Sequence, residues 1–389
     1  MATDLLANPI LQDAGTAPNR SPSSGELDFL PAGTELVSAD DHWEVTEDIF
    51  YQQLPEHLKE LGPRIWFNRI WWNMPRGDDE GEGIPSVIDP LTLKVAENGA
   101  AWARGYSREQ RLADLQAEGM RSSIVFPNSI LAMLYHPNLE LREEVVRIYN
   151  RYIARESAEQ PLFYGVGMFP NWWDETKAEQ YVGEIVDLGL KTFMLPTQLR
   201  LADGSAVNFA DKRLDRFWAA LERSGLPLCL HVGENFPGGD QRGVLGHSLQ
   251  QLAPFRLPLG PMNFVGVFER HPGLQVVFAE GGFSWVAPFL QDAEMLHDTY
   301  GTKIQTLPKR PTEYWRANCY ATFQTDLLGL ARLVDVVGAD RVMWGADYPH
   351  TEGTFGFTSN AIRQVVENVG ADDARMILGG TARKVFRLN

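Results

Sequence analysis

The chain has 389 residues, 44% hydrophobic and 22% charged, a balance that suits one large domain or two ordinary ones around a sizeable core. Its net charge of −16 argues against nucleic-acid backbones and anionic membrane surfaces as partners, because both carry the same sign. Two cysteines, Cys229 and Cys319, cannot build a disulfide framework, and with no membrane-length apolar run and no secretory leader pattern they point to a reducing, cytoplasmic setting.

Residues 1–30, rich in Ala, Asn, Pro, Ser and Gly, read as a flexible arm lying on the surface or on a partner subunit of a homo-oligomer. The remainder, 31–389, reads as one domain. A first strand falls at E-L-V-S-A-D-D-H-W-E, where period-2 alternation puts Asp40, His42 and Glu44 on one face. From about 51 to 105 the pattern is irregular. This stretch is an insertion after the first strand, carrying Trp66, Trp71 and Trp72. A helix over 107–118 opens on a serine cap and ends at Gly119.

Strands and helices then alternate. S-S-I-V-F-P precedes a helix at 140–160, L-F-Y-G-V-G-M-F-P a helix at 174–188, and K-T-F-M-L-P a helix at 211–224. L-P-L-C-L-H-V-G-E leads into a loop or lid at about 233–260 and a helix at 261–270. L-Q-V-V-F-A-E-G-G, a helix at 285–300, N-C-Y-A-T-F, a helix at 326–337, R-V-M-W-G-A-D and a terminal helix complete the chain. Eight strands alternating with helices predict a closed (β/α)₈ TIM-like barrel. An open doubly wound sheet is the other arrangement compatible with the order, but no G-x-G-x-x-G follows the first strand.

Acids and histidines gather at predicted strand ends: Asp40, His42 and Glu44 on the first, His231 on the fifth, Glu280 on the sixth, and Asp347 with His350 on the eighth. A barrel brings strand ends to one rim. Carboxylates and imidazoles massed there without Lys or Arg repel unless a cation sits among them, so the pattern predicts a divalent metal, as one ion or two. His136 falls in a loop near the barrel mouth. His247 and Glu234 fall in the lid segment.

S-A-D-D-H-W-E, L-H-V-G, V-V-F-A-E-G-G-F-S-W-V-A-P and M-W-G-A-D-Y-P-H resemble the amidohydrolase superfamily, within it the amidohydrolase-related group that contains nonoxidative decarboxylases. The resemblance runs from about Leu36 to the C-terminus and implies a distorted TIM barrel of amidohydrolase type. It implies metal ligation by Asp40 and His42, in place of a common His-x-His, and by His231 and Asp347. Two departures stand out: Glu280 occupies a position where many relatives have histidine, and Glu44 follows His42 by two residues rather than three. Lys191 opens the fourth strand instead of ending it, which disfavours a bridging carboxylated lysine. A carboxylate-rich shell favours iron or manganese over zinc.

The leading expectation is hydrolysis of a carbonyl-centred bond (ester, thioester, lactone or amide) by metal-activated water. Asp347 would shuttle the proton, Glu280 or His350 would hold water or leaving group, and Glu44 with Glu280 would ligate a second ion. The alternative is nonoxidative decarboxylation of an aromatic or unsaturated acid, and the third reading is a barrel without turnover. The substrate is expected to be a small molecule, bulky and apolar if the tryptophans line its pocket.

Overall fold

The computed structural model describes residues 20–23, 27–66, 69–71, 107–197, 207–232, 254–304, 307–350 and 352–388. Eight strand positions run in parallel order: β1 (Val37–Trp43), β2 (Ser122–Pro127), β3 (Phe163–Gly165 continued by Gly167–Met168), β4 (Phe193–Pro196), β5 (Leu228–His231), β6 (Val276–Ala279), β7 (Cys319–Phe323) and β8 (Val342–Trp344). β1, β2, β4 to β8 are buried along their whole length, as strands enclosed on both faces must be.

The strand interruptions are local. β3 breaks at Val166, whose N–H donates to Val125 O of β2 at 2.9 Å, while Gly167 N–H donates to Thr192 O beside β4 at 3.1 Å. β3 therefore hands the ladder from the β1–β2 side to the β4–β8 side. The first strand meets the end of the last through two main-chain bonds, Asp347 N–H to Asp40 O and His42 N–H to Tyr348 O, both 2.7 Å. The architecture is a (β/α)₈ barrel, as expected.

Helices form where the sequence caps them. Ser107 accepts from Gln110 N at the start of Arg108–Ala117, and Asn138 accepts from Leu141 N at the start of Leu139–Glu159. Asp215–Ser224 ends on Gly225 at φ 63°, where a left-handed residue closes the last turn. The helix read at 261–270 is two pieces, Arg256–Phe264 and Val267–Arg270, divided at Gly266 with φ 79°.

A short antiparallel pair, Arg64–Trp66 with Arg69–Trp71, lies in the expected insertion; the rest of that insertion, with Trp72, is outside the described residues. So is most of the expected lid, including Glu234 and His247. In the expected arm, Arg20 donates to Gly353 O at 2.9 Å and Ser23 N–H donates to Glu118 at 2.5 Å, so this segment lies against the loop that follows β8 and the end of the helix Arg108–Ala117. Among the described residues no helix is long and apolar enough to cross a membrane.

Candidate metal centre

β1 supplies two of the side chains, and it does so through an irregularity. Three steps along β1, Ser38 to Asp41, oppose two along β2, Ser123 to Val125. Such a bulge re-aims side chains locally. Asp40 reaches across the barrel: its Oδ1 lies 3.3 Å from His231 Nε2 at the end of β5, and its Oδ2 accepts from Thr322 Oγ1 of β7 at 3.1 Å. His42 Nε2 lies 3.7 Å from Asp40, 3.4 Å from Glu280 and 3.2 Å from Asp347.

The acids on β6 and β8 follow strands that end abruptly. Glu280 has φ 67° and Asp347 φ 56°, a backbone region few non-glycine residues adopt. Strain of this kind, of order 1–3 kcal/mol each, persists where surrounding structure imposes it and clusters at functional sites. At Glu280 the imposing contact is its N–H donating to Thr322 Oγ1 at 2.8 Å. The loop beyond is held by Asp326, which accepts from Phe283 N and Ser284 N at 2.9 and 2.8 Å. At β8, Gly345 lets the chain pass Asp40: a Cβ there would stand 2.6 Å from Asp40 Cβ.

The structure thus brings Asp40, His42, His231, Glu280, Asp347 and His350 together in two overlapping groups, one of Asp40, His42, His231 and Glu280, the other of His42, Glu280, Asp347 and His350. His231 Nε2 is 3.1 Å from Glu280, and His350 Nδ1 is 2.9 Å from Asp347 Oδ1. The His42 and His350 rings stack at 3.9 Å, and Phe126 packs 4.4 Å from the His231 ring.

Glu44 is not brought in. β1 ends at Trp43, so the alternation that put Glu44 beside Asp40 and His42 stops one residue short. Its carboxylate instead accepts from Ser129 N at 3.2 Å, Ser129 Oγ at 2.5 Å and Val45 N at 3.1 Å. His136 also stays apart: its Nδ1 accepts from Asn138 N at 3.1 Å. Thr322 was missed by sequence reading, although a lone hydroxyl at the end of the apolar run C-Y-A-T-F was the available signal.

The tautomers suit metal binding. His231 Nδ1 lies 2.6 Å from Val232 O and His42 Nδ1 3.4 Å from Pro127 O, so in each ring Nδ1 carries the proton and Nε2 presents a lone pair inward. His42 Nε2 and both Asp347 oxygens are buried without a well-formed hydrogen bond among the described residues. Burial opposes a proton on His42, yet Asp347 and Glu280 drive its affinity well above an ordinary imidazole's. Burial and the Asp347 charge raise the Glu280 carboxyl. Burial would raise Asp347 too, but His350 and His42 hold it below the usual carboxylate range. Without a cation these groups compete for protons; a divalent ion satisfies the inward lone pairs and the anionic charge together. The donor set fits such an ion.

A family model described as amidohydrolase matches residues 135–388. The chain is 25% identical over 249 residues to a 2-amino-3-carboxymuconate-6-semialdehyde decarboxylase of Dictyostelium discoideum, covering 63% of this chain and 67% of that protein. It is 26% identical over 236 residues to a gamma-resorcylate decarboxylase of Rhodococcus jostii (strain RHA1), covering 55% and 68%. A solved dihydroxybenzoic acid decarboxylase from Polaromonas sp. JS666, with bound manganese and the inhibitor 2-nitroresorcinol, superposes with a TM-score of 0.66 at 16% identity, covering 92% of this chain and 98% of that one.

These relatives overturn hydrolysis as the leading expectation: the curated matches are decarboxylases. The two-ion arrangement that suits hydrolysis needs Glu44 beside Glu280, and Glu44 faces Ser129 instead.

Proposed function

The chain belongs to the amidohydrolase family of metal-dependent enzymes, and from that premise we propose that it is a nonoxidative decarboxylase of an aromatic or unsaturated carboxylic acid. The observation that carries this reading is that both curated relatives are decarboxylases, one of a carboxymuconate semialdehyde and one of a resorcylate. Their substrates share a carboxylate on an unsaturated carbon.

One divalent ion would be held by Asp40, His42 and His231, with Glu280 and Asp347, both within reach of His42, as the further donors. One ion is favoured because both side-chain groups draw on the same His42 Nε2, and a single nitrogen lone pair serves one ion. Manganese or iron suits this carboxylate-rich set better than zinc. When bound, the ion would supply positive charge that orients the substrate carboxylate and stabilises the negative charge left on the substrate as carbon dioxide departs.

The chain's own residues do the rest. Glu280 and His350, with side chains 13% and 11% exposed, are the cluster members that would border the approach and meet the substrate. Phe126 keeps the wall beside His231 dry. Cleavage sends the carboxylate away as carbon dioxide and leaves the bonding pair on the substrate carbon, which then takes a proton. Asp347 would deliver that proton to the carbon, and His350, whose Nδ1 lies 2.9 Å from Asp347 Oδ1, would resupply it.

The test is to load the purified protein with manganese and offer hydroxybenzoates and unsaturated dicarboxylic acids in D₂O. Carbon dioxide release with one deuterium at the vacated carbon is the expected result. Turnover of esters or lactones, with no carbon dioxide from any acid, would defeat the proposal.

A further inference from the structure

Directly behind the metal-facing side of β1 lies a second buried polar cluster that the proposed reaction does not use. Asp41, 0% exposed, is adjacent to Asp40 yet points away from it. Its Oδ1 accepts from Tyr348 N at 2.9 Å and lies 2.9 Å from Ser38 Oγ, and its Oδ2 accepts from Ser123 Oγ. Ser38 Oγ in turn accepts from Ala346 N at 2.8 Å. Arg111, from the helix Arg108–Ala117, donates through Nη1 to His42 O at 2.8 Å and through Nη2 to Ser123 Oγ at 3.1 Å, and its Nη2 stands 3.5 Å from Asp41 Oδ2. Its guanidinium also lies 5.2 Å from the Tyr348 ring centroid.

Three members of this cluster are bonded to the backbone of a metal-facing residue or of its neighbour, and Ser123 links two of the three. Arg111 holds the carbonyl of His42. Asp41 holds the amide of Tyr348, which follows Asp347. Ser38 holds the amide of Ala346, which precedes it. The cluster sits at the β1 bulge, where regular ladder bonds are interrupted and cannot fix the spacing of Asp40 and His42 by themselves. A buried ion pair adds little stability over apolar side chains of similar size, so stability alone is a weak reason for it.

We propose that Asp41 and Arg111 are positioning residues that set the separation of Asp40 and His42 on β1 from Asp347 after β8, and thereby tune the affinity of the metal site. The inference rests on the metal-dependent reading of that site. Arg111→Lys keeps the charge but loses the fork that reaches His42 O and Ser123 Oγ together. Ser123→Ala removes the hydroxyl that links Asp41 to Arg111 while leaving both charges in place, with a smaller risk to folding.

The experiment measures Mn(II) affinity of stripped wild-type, Arg111→Lys and Ser123→Ala proteins by chelator competition, with the Mn(II) electron paramagnetic resonance line shape and the metal-free thermal midpoint of each. Removing groups that orient ligands typically weakens metal binding by about 10–100-fold, and Arg111→Lys should fall in that range with an altered line shape, Ser123→Ala lower in the same direction. Lowered midpoints with unchanged affinity and line shape in both variants would overturn the positioning role. A wild-type protein that binds no Mn(II) would instead defeat the metal-dependent reading itself, so the two failures are distinguishable.

Discussion

Asp40 and Asp41 are neighbours on one strand, and both are fully buried, yet their surroundings differ in kind. Asp41 faces Arg111, two serines and a main-chain N–H. Asp40 faces His231, Thr322 and, through His42, two further carboxylates. Among the described residues no lysine or arginine pairs with Asp40, Glu280 or Asp347. The chain can balance a buried carboxylate with arginine and does so one residue away. On the inner side it leaves lone pairs and negative charge converging, which is the arrangement a divalent cation completes.

The largest test of that contrast is Asp347→Asn. The amide cannot carry the proton and cannot offset metal charge. With metal content matched to wild type, decarboxylation should fall by at least about 100-fold while the thermal midpoint stays close to wild type. Near-normal carbon dioxide release would remove Asp347 from the proton path.

Metal removal comes next. If the inward side needs a cation and the Asp41 side does not, stripping the metal should lower stability, and adding it back at 100 times its Kd should restore about 2.7 kcal/mol. In a chain of this size that is a rise of several degrees in Tm, readable by scanning calorimetry. A Tm indifferent to Mn(II), Fe(II) and Zn(II) would mean that the inward cluster is balanced by protons instead.

Gly345→Ala probes the boundary between the two sides. The new methyl would stand 2.6 Å from Asp40 Cβ and 3.0 Å from Asp40 N, so β1 and the end of β8 must separate. Overpacking of this kind costs about 1–3 kcal/mol. Denaturant melts of the metal-free protein should show that loss, and metal affinity should fall with it. Unchanged affinity would show that Asp40 tolerates displacement.

The readable part of this site is what strand order and alternation determine. Apolar runs ending in acid or histidine placed His231, Glu280 and Asp347 at strand ends, and alternation placed Asp40 and His42 together. A barrel then brings such ends to one rim. The unread part depends on contacts between distant segments. The extra residue in β1 is visible only against β2. Arg111 looks like an ordinary charge on an exposed helix until the helix docks and buries it. The break at Val166 is likewise set by two different neighbours, Val125 and Thr192. Alternation also carried too far: it assumes the strand continues, and β1 stops at Trp43.

Glu44 is where that overreach can be measured, and its effect should be the smallest. Its carboxylate is buried against Ser129 and Val45, outside both inward groups. Burial, opposed by the Ser129 bonds, pushes its carboxyl up to about 7, so a neutral side chain is a mild change there. Glu44→Gln keeps an acceptor for the Ser129 N–H and hydroxyl. The variant should therefore bind the same number of ions per chain as wild type, with Mn(II) affinity within about threefold, a difference of under ~1 kcal/mol. Elemental analysis of both proteins after saturation and desalting gives the stoichiometry. A fall from two ions to one in Glu44→Gln would return Glu44 to the metal shell and restore the two-ion site; one ion in both confines the metal to the ligands gathered around His42.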